Sequence, residues 1–266
     1  MRIVLPRDLD FDPTPTSTWL AEAFARSEVE GSPPVISNER FSGNPAAGWH
    51  DAERTAQRLH QVMPQARILL VVREQEDLLR SIWRQQIRIG SICSLEDFLR
   101  PLEIGDHRLP AFDPDFLRFD RYVGLLDDIF GRDSVLVLPF ELLRRNMTDY
   151  LARIESFSGF AFPAPTDDGP VYASPPHLEC NIRRWMNLLT VRSSLHRSPP
   201  FPWAASLGNR MARMFSRLAT RRGEARRTRR ARRAIDARLA DLDLRSSNRR
   251  LSERTGIDLG DLGWQV

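Results

Sequence analysis

The chain has 266 residues, of which 41% are hydrophobic, and a formal net charge of +4, so its composition predicts a globular protein with one real core. No apolar run approaches the roughly 20 residues that span a bilayer, and the residues after Met1 lack the apolar core of a signal peptide, so a cytoplasmic protein is expected. Both cysteines, Cys93 and Cys180, are expected to be reduced, and no Cys/His cluster has the spacing of metal ligands.

The predicted elements alternate between helices and strands. Strands are predicted at Val35–Ser37, Arg67–Val72 and Val135–Leu138. Helices are predicted at Thr18–Ser27, Asp51–Met63, Asp77–Ile89, Leu95–Leu99, Asp115–Phe130 and Glu141–Phe157. This alternation predicts an α/β fold, in which a parallel sheet is flanked by helices on both faces. Residues 1–162 form the predicted α/β core. Residues 163–266, which show only helices and loops, form the helical and basic carboxyl-terminal part of the same domain.

An arginine and a serine follow the most apolar of the predicted strands. Ile68–Val72 is a continuous apolar run, which is typical of a strand buried on both faces of a parallel sheet. Arg73 stands at its carboxyl end, and Ser81 lies two turns into the next helix. Ligands of open α/β sheets bind just outside the carboxyl ends of strands, and a guanidinium with a hydroxyl suits a phosphate. The alternative is an arginine that caps a strand end and a serine on a solvated helix face.

This segment resembles the 3′-phosphate-binding segment of sulfotransferases that use 3′-phosphoadenosine 5′-phosphosulfate. Three other segments are similar in order and spacing: 34–45 resembles the strand and loop that carry the catalytic base, 134–143 the next strand and helix entry, and 247–259 the carboxyl-terminal ending. The resemblance implies a P-loop nucleotide-binding-like fold, this anionic nucleotide as co-substrate and no metal. It also implies sulfuryl transfer to a hydroxyl of a carbohydrate, glycolipid or small molecule, with Arg73 and Ser81 binding the nucleotide.

Glu39 is the candidate catalytic base. It follows the first predicted strand in a polar loop, where a carboxylate could take the proton of the acceptor hydroxyl. Its alternative role is structural, as an ion-pair partner of Arg40 or as a cap. Three histidines are second choices for the base: His50, His60 and His107. Weaker candidates for binding the acceptor or the nucleotide are Ser37, Arg40, Ser42, Asn44, Arg183 and Arg184.

The first residues depart from the family pattern. Family members open with a strand, a Gly- and Thr-containing turn and a lysine, which together bind the 5′-phosphosulfate, but this sequence has no lysine and no glycine before Gly31. We expect the first βα unit to be absent, through truncation, a misplaced start or real loss. The alternative is a distorted loop from Leu5 to Thr18, in which Arg7 replaces the lysine. Absence predicts an open groove beside Arg67–Val72 and slow or no sulfuryl transfer.

The carboxyl-terminal third is strongly basic. Between Asn209 and Arg250 there are 15 arginines against 4 acidic residues, a net charge of +11, whereas the remainder of the chain carries −7. The densest part is the Arg-rich segment 221–233. A solvated amphipathic helix accounts for this pattern. The functional alternative is a guide for an anionic acceptor, nucleotide or membrane surface. Nucleic acid is disfavoured as a partner, because no nucleic-acid motif and no interleaved aromatic residues accompany the segment.

Three classes of function therefore stay open. The first is an active sulfotransferase, and the second is a non-catalytic relative that retains nucleotide or glycan binding. The third is an interaction protein with a basic surface, in which the sheet is only a scaffold.

Overall fold

The chain folds into two compact units. A computed structural model describes residues 2–29, 34–47, 51–100, 112–162, 176–190 and 221–266, together with Arg210 and Met214. The first unit comprises Met1–Glu74, Asp113–Pro165 and Asp243–Val266. The second unit comprises Gln75–Phe112 and Thr166–Leu242. The two units therefore interleave along the chain, whereas the predicted division is a single boundary after residue 162.

The described residues contain one sheet, which has two parallel strands. Strand β1 is Ile68–Val72 and strand β2 is Val135–Pro139, and their register runs from Ile68 opposite Val135 to Val72 opposite Pro139. The prediction of an α/β protein with parallel strands is thus confirmed for these two segments. The predicted strand Val35–Ser37 is wrong, because residues 34–38 pair with no strand and Val35 is 79% exposed. This run is only three residues long and follows two prolines, which lack the N–H that a ladder needs.

Helices make up most of the described chain. In chain order they are α1 Thr14–Val29, α2 Ala52–Val62, α3 Gln75–Arg88, α4 Leu95–Phe98, α5 Phe119–Phe130, α6 Phe140–Arg145, α7 Met147–Ser158, α8 His177–Thr190, α9 Arg221–Leu239 and α10 Leu244–Thr255. The predicted helix over residues 141–157 is divided between α6 and α7 at Asn146. The Asn146 side chain accepts a hydrogen bond from the Asp149 N–H at 3.1 Å, so it caps α7 and ends α6.

Strand β1 is covered on one face only. Val72 is buried and its same-face neighbour Leu70 is half-buried, whereas Leu69 and Val71 on the opposite face are 44% and 47% exposed. The expected burial on both faces is therefore wrong for β1. Burial on both faces is closer to what is observed for β2, in which every residue but Leu136 is buried.

Arg58 anchors the amino-terminal segment to α2 in the first unit. Its side chain is buried and donates to the carbonyl oxygens of Ile3 at 3.0 Å and Pro6 at 2.8 Å. The same guanidinium pairs with Asp8 at 2.7 Å and lies 4.2 Å from the centre of the Phe11 ring. These contacts hold the segment over an apolar cluster. The buried members of this cluster are Ile3, Leu20, Leu59 and Val62.

Arg254 fixes the entrance of β2 in the same unit. From α10 it makes a bidentate ion pair with Asp127 of α5, at 2.6 and 2.7 Å. Its Nη2 also donates to the carbonyl oxygens of Arg132 and Val135, at 3.0 and 3.2 Å. The Asp127 carboxylate raises the pKa of Arg254, so the pair stays charged. One side chain therefore joins α10, α5 and the first residue of β2.

The second unit is a group of helices joined by polar contacts. The Glu224 carboxylate of α9 accepts from the backbone N–H groups of His177 and, at 3.2 Å, Leu178, so it caps the amino terminus of α8. The Asn187 amide donates to the carbonyl oxygens of Ile87 and Ser91, at 2.9 and 2.8 Å, and so satisfies the carboxyl end of α3. No helix in the described part of the chain is long and apolar enough to cross a membrane.

We predict that Arg254→Met lowers the free energy of unfolding by about 2–3 kcal/mol. The variant keeps the aliphatic stem but leaves Asp127 and the two carbonyl oxygens without their shared donor. Urea unfolding followed by circular dichroism measures the change. The matched control is Arg249→Met on the exposed side of the same helix, which should stay within about 0.5 kcal/mol of the parent. Equal losses in the two variants would show that Arg254 does not fix β2.

Candidate functional site

The carboxyl edge of the β1–β2 pair is the candidate site. Arg73 follows β1 directly and Phe140 follows β2, as expected for parallel strands whose carboxyl ends share one edge. The guanidinium carbon of Arg73 lies 5.5 Å from the centre of the Phe140 ring, a cation–π distance. The Arg73 side chain is half-buried. The structure therefore places Arg73 at the predicted edge, with an aromatic wall on one side.

Glu141 closes the same edge, and the sequence does not single it out. Its Oε1 accepts from the backbone N–H of Glu74 at 3.1 Å, and its Oε2 accepts from the indole N–H of Trp264 at 3.2 Å. Trp264 is buried and meets Phe119 edge-on, with ring centres 5.9 Å apart. A single carboxylate thus joins the end of β1, the start of α6 and the carboxyl-terminal segment. It also places a carboxylate at the same strand edge as Arg73, which opposes anion binding at this edge.

Ser81 lies in α3, where it is half-buried. Arg73 belongs to the first compact unit and Ser81 to the second. The shared phosphate predicted for these two residues therefore stays a prediction. The side chain next to Ser81 in α3, Arg80, pairs with Glu76 at 3.3 Å and with Asp77 on the same helix.

The Glu39 loop is organised by Asp51. Glu39 is exposed at the start of a short 3₁₀ turn, Glu39–Ser42. Asp51 accepts from Arg40 Nη2 at 3.0 Å and from the Asn44 backbone N–H at 2.8 Å. Asp51 is therefore an ion-pair partner of Arg40, and it also fixes the backbone of Asn44. Its role follows from the loop's folded shape, which no local spacing in the sequence reveals.

The other predicted loop residues make local contacts. Ser42 Oγ donates to the Glu39 carbonyl oxygen at 3.2 Å, and Asn44 Oδ1 accepts from the Ala46 N–H at 3.3 Å. Ser37 is exposed just before the turn. Tyr122 Oη donates to the Phe41 carbonyl oxygen at 3.2 Å. Burial, together with the Asp51 carboxylate, raises the pKa of Tyr122, which keeps its hydroxyl protonated as a donor.

Arg183 and Arg184 lie in α8, within the second unit. Arg183 pairs with Glu179 one turn earlier, at 3.1 Å, and both side chains are largely covered. The Arg184 guanidinium carbon lies 5.4 Å from the centre of the Trp185 ring. These contacts support a structural role for Arg183 in α8. The predicted role of both arginines at the 3′-phosphate stays a prediction.

His177 is a buried histidine that the sequence does not distinguish. Its ring stacks on Trp83, with centres 6.2 Å apart and planes 26° apart, and its Nε2 has no hydrogen-bond partner among the described residues. Burial lowers the pKa of His177 to about 4, and the nearby Arg84 guanidinium acts in the same direction. Burial also raises the pKa of Cys180, one turn along α8, to about 11. Both groups are therefore neutral near pH 7 and form part of the core of the second unit.

Two of the histidines considered as bases, His50 and His107, lie outside the described residues. His60 meets the Phe130 ring edge-on at 5.3 Å, as a structural residue would. Both cysteines are free thiols. Within the described residues, no group of three or more His, Cys, Asp or Glu side chains could hold a metal ion.

Comparison of the chain with protein-family models, curated proteins and solved structures finds no match.

We predict that the protein loses stability as the pH falls below about 6.5. The unfolded chain then binds a proton on His177, while the folded chain, with a pKa of about 4, does not, so protons favour unfolding. The loss should grow to about 3 kcal/mol at pH 4. Urea unfolding between pH 7.5 and pH 4 measures it, against His177→Phe, which keeps the stacked ring but cannot titrate. Parallel pH profiles for the two proteins would contradict the assignment to His177.

Proposed function

We propose that the chain is a sulfotransferase-like protein that binds the 3′-phosphate of 3′-phosphoadenosine 5′-phosphosulfate at the carboxyl edge of β1 and β2. The observation that carries the proposal is the half-buried Arg73 at the carboxyl end of a strand in a parallel pair. A guanidinium in this position has the charge and donor geometry that suit a phosphate. The proposed acceptor is a hydroxyl of a carbohydrate, glycolipid or small molecule.

The described residues fit one end of this nucleotide better than the other. Arg73 suits the 3′-phosphate. For the phosphosulfate end, the alternative in which Arg7 completes a cradle does not fit, because its side chain is 83% exposed and pairs with Asp10 at 2.6 Å. Leu5 is 66% exposed, and the sequence contains no lysine. These observations support nucleotide binding more strongly than fast sulfuryl transfer.

Glu39 remains the proposed base for the acceptor proton. Its exposure leaves the carboxylate accessible to an acceptor, and the neighbouring Arg40 and Asn44 are fixed by Asp51. In this proposal, Glu39 takes the proton from the acceptor hydroxyl, while Ser37, Ser42 and Asn44 offer polar groups that could orient the acceptor. Arg40 keeps a positive charge beside the loop.

A second candidate is a non-catalytic relative that binds a nucleotide or glycan. Two observations favour it over an active enzyme. The sequence has no lysine to stabilise the leaving phosphate. Glu39 also lies in a short exposed turn, whereas the family resemblance implies a base that directly follows a strand of the sheet. Both candidates bind the nucleotide, so they are distinguished by whether a sulfated product forms.

We predict that Arg73→Ala weakens binding of 3′,5′-adenosine bisphosphate by about 1.5–3 kcal/mol, the value of a hydrogen bond to a charged group. Isothermal titration calorimetry measures the loss. The matched control is Arg67→Ala at the opposite end of β1, where the guanidinium is exposed and lies 4.4 Å from the centre of the Phe157 ring. Because Arg67 lies at the amino end of the strand, its loss should leave affinity nearly unchanged.

Three results would count against this site. Equal binding by the Arg73→Ala variant and the parent would remove Arg73 from the site. Equal losses in the Arg73 and Arg67 variants would indicate a general effect of charge. Absence of binding by the parent would favour the scaffold interpretation, in which the sheet only supports other surfaces.

We predict that Glu39→Gln lowers sulfuryl-transfer turnover by about 10²–10⁴-fold, because glutamine cannot accept the acceptor proton. Affinity for 3′,5′-adenosine bisphosphate should change little, since Glu39 is proposed to act on the acceptor. Transfer of radioactive sulfur to a panel of small carbohydrates measures turnover. Glu22→Gln, an exposed glutamate on α1, is the control for charge loss. Normal turnover in the Glu39 variant of an active parent would place the base elsewhere.

A further inference from the structure

Charge is divided unequally between the two compact units. The residues of the second unit include 21 arginines and 12 acidic residues, a net charge of +9. The residues of the first unit include 18 arginines and 23 acidic residues, a net charge of −5. The positive charge of the second unit is densest in α9, which contains nine arginines against two acidic residues.

Some arginines of α9 stabilise the second unit itself. On its inner face, Ala231 and Ile235 are buried. Arg232 pairs with Glu76 of α3 at 2.6 Å, and Arg230 pairs with Glu96 of α4 at 3.1 Å. The segment is therefore a helix with a packed inner face, and part of its charge has a structural role.

Three other arginines of α9 form an exposed row. Arg226, Arg229 and Arg233 are exposed, and no carboxylate among the described residues pairs with them. Their spacing of three and four residues places them on one helix face over about 10 Å. Like charges this close repel one another, so the row costs the free protein stability unless an anion lies against it. We call these three residues the arginine row.

We propose that the arginine row binds the surface of an anionic lipid bilayer. A bilayer is favoured over nucleic acid because the described part of the second unit also exposes large apolar side chains. These are Ile89, Ile92, Trp185 and Leu188, whose exposed fractions are 43–61%. The Asn187 bonds to the Ile87 and Ser91 carbonyl oxygens hold the part of α8 that carries Trp185 and Leu188 beside the segment that follows α3, which carries Ile89 and Ile92.

These exposed apolar side chains suit a lipid partner in particular. Hydrocarbon chains can cover isoleucine and leucine, whereas a sugar–phosphate backbone gains little from aliphatic contacts. A tryptophan beside an arginine is also the pairing that membrane interfaces favour, and Arg184 lies over the Trp185 ring.

The geometry of α9 predicts adsorption without deep insertion. Its apolar face packs within the second unit, so α9 presents arginine side chains rather than apolar ones to the headgroups. Each arginine near an anionic surface strengthens binding by about fivefold, so the row should contribute about 100-fold. Salt should weaken the attraction, because the Debye length is only about 10 Å at 0.1 M ionic strength.

The test is sedimentation of the full chain with two kinds of vesicle, one of phosphatidylcholine alone and the other of phosphatidylcholine mixed with phosphatidylserine. The triple variant Arg226→Gln, Arg229→Gln, Arg233→Gln should bind the mixed vesicles about 100-fold more weakly than the parent. The matched control replaces exposed arginines of the first unit by glutamine. These are Arg144, Arg245 and Arg249. This control variant loses the same charge, and its affinity for the mixed vesicles should stay within a few-fold of the parent's.

A fourth variant tests the choice of lipid. Trp185→Ser should weaken binding to the mixed vesicles by about tenfold and leave any binding to duplex DNA unchanged. Circular dichroism confirms that each variant is folded.

Three results would overturn the proposal. The first is equal loss in the two triple variants, which would reduce the effect to net charge. The second is equal binding to vesicles with and without phosphatidylserine. The third is tighter binding to duplex DNA than to the mixed vesicles at equal phosphate concentration. The surface lies in the second unit and does not rest on the sulfotransferase proposal, so failure of either leaves the other standing.

Discussion

The candidate site depends on one carboxylate that two N–H groups share. Glu141 accepts from the Glu74 backbone and from the Trp264 indole, so the ends of both strands and the carboxyl-terminal segment meet at one group. The sheet has only two described strands and cannot hold its edge rigid by ladder bonds alone. A charged acceptor forms stronger hydrogen bonds than a neutral one, which suits a junction of this kind. The same charge limits the anion affinity of the edge, because it lies at the strand edge where Arg73 is proposed to bind phosphate.

Arginine supplies every side-chain cation apart from histidine in this protein, and much of it is structural. Arg58 and Arg254 each donate to a carboxylate and to two carbonyl oxygens at once. A planar fork with five N–H groups can do this, whereas a compact ammonium suits a single anionic centre. The use of arginine alone therefore suits the hydrogen bonds and ion pairs inside the fold. The absence of lysine weakens the case for sulfuryl transfer from a phosphosulfate. A count of arginines does not separate these uses, but the position of each guanidinium does.

The sequence predicts the local elements well and the long-range contacts poorly. Both observed strands and the helices α2, α3 and α5 follow from apolar periodicity and from breakers such as Gly131. Val35–Ser37 fails because a short apolar run becomes a strand only if a neighbour pairs with it, and none of the described residues does. The position of Arg73 at a sheet edge was predictable from the strand that precedes it. The roles of Glu141 and Asp51 were not predictable, because a partner of Glu141 lies 123 residues away and a partner of Asp51 lies in an irregular loop.

The two proposed activities depend on charge in different ways. The first unit has a net charge of −5, so a nucleotide is attracted to it mainly by the Arg73 guanidinium at short range and not by the net charge of the unit. Close contacts of this kind are screened only weakly by salt. The second unit has a net charge of +9, so an anionic bilayer is attracted to it over the whole Debye length. This attraction falls steeply as ionic strength rises. Ionic strength should therefore release the protein from lipid well before it affects a phosphate held by Arg73.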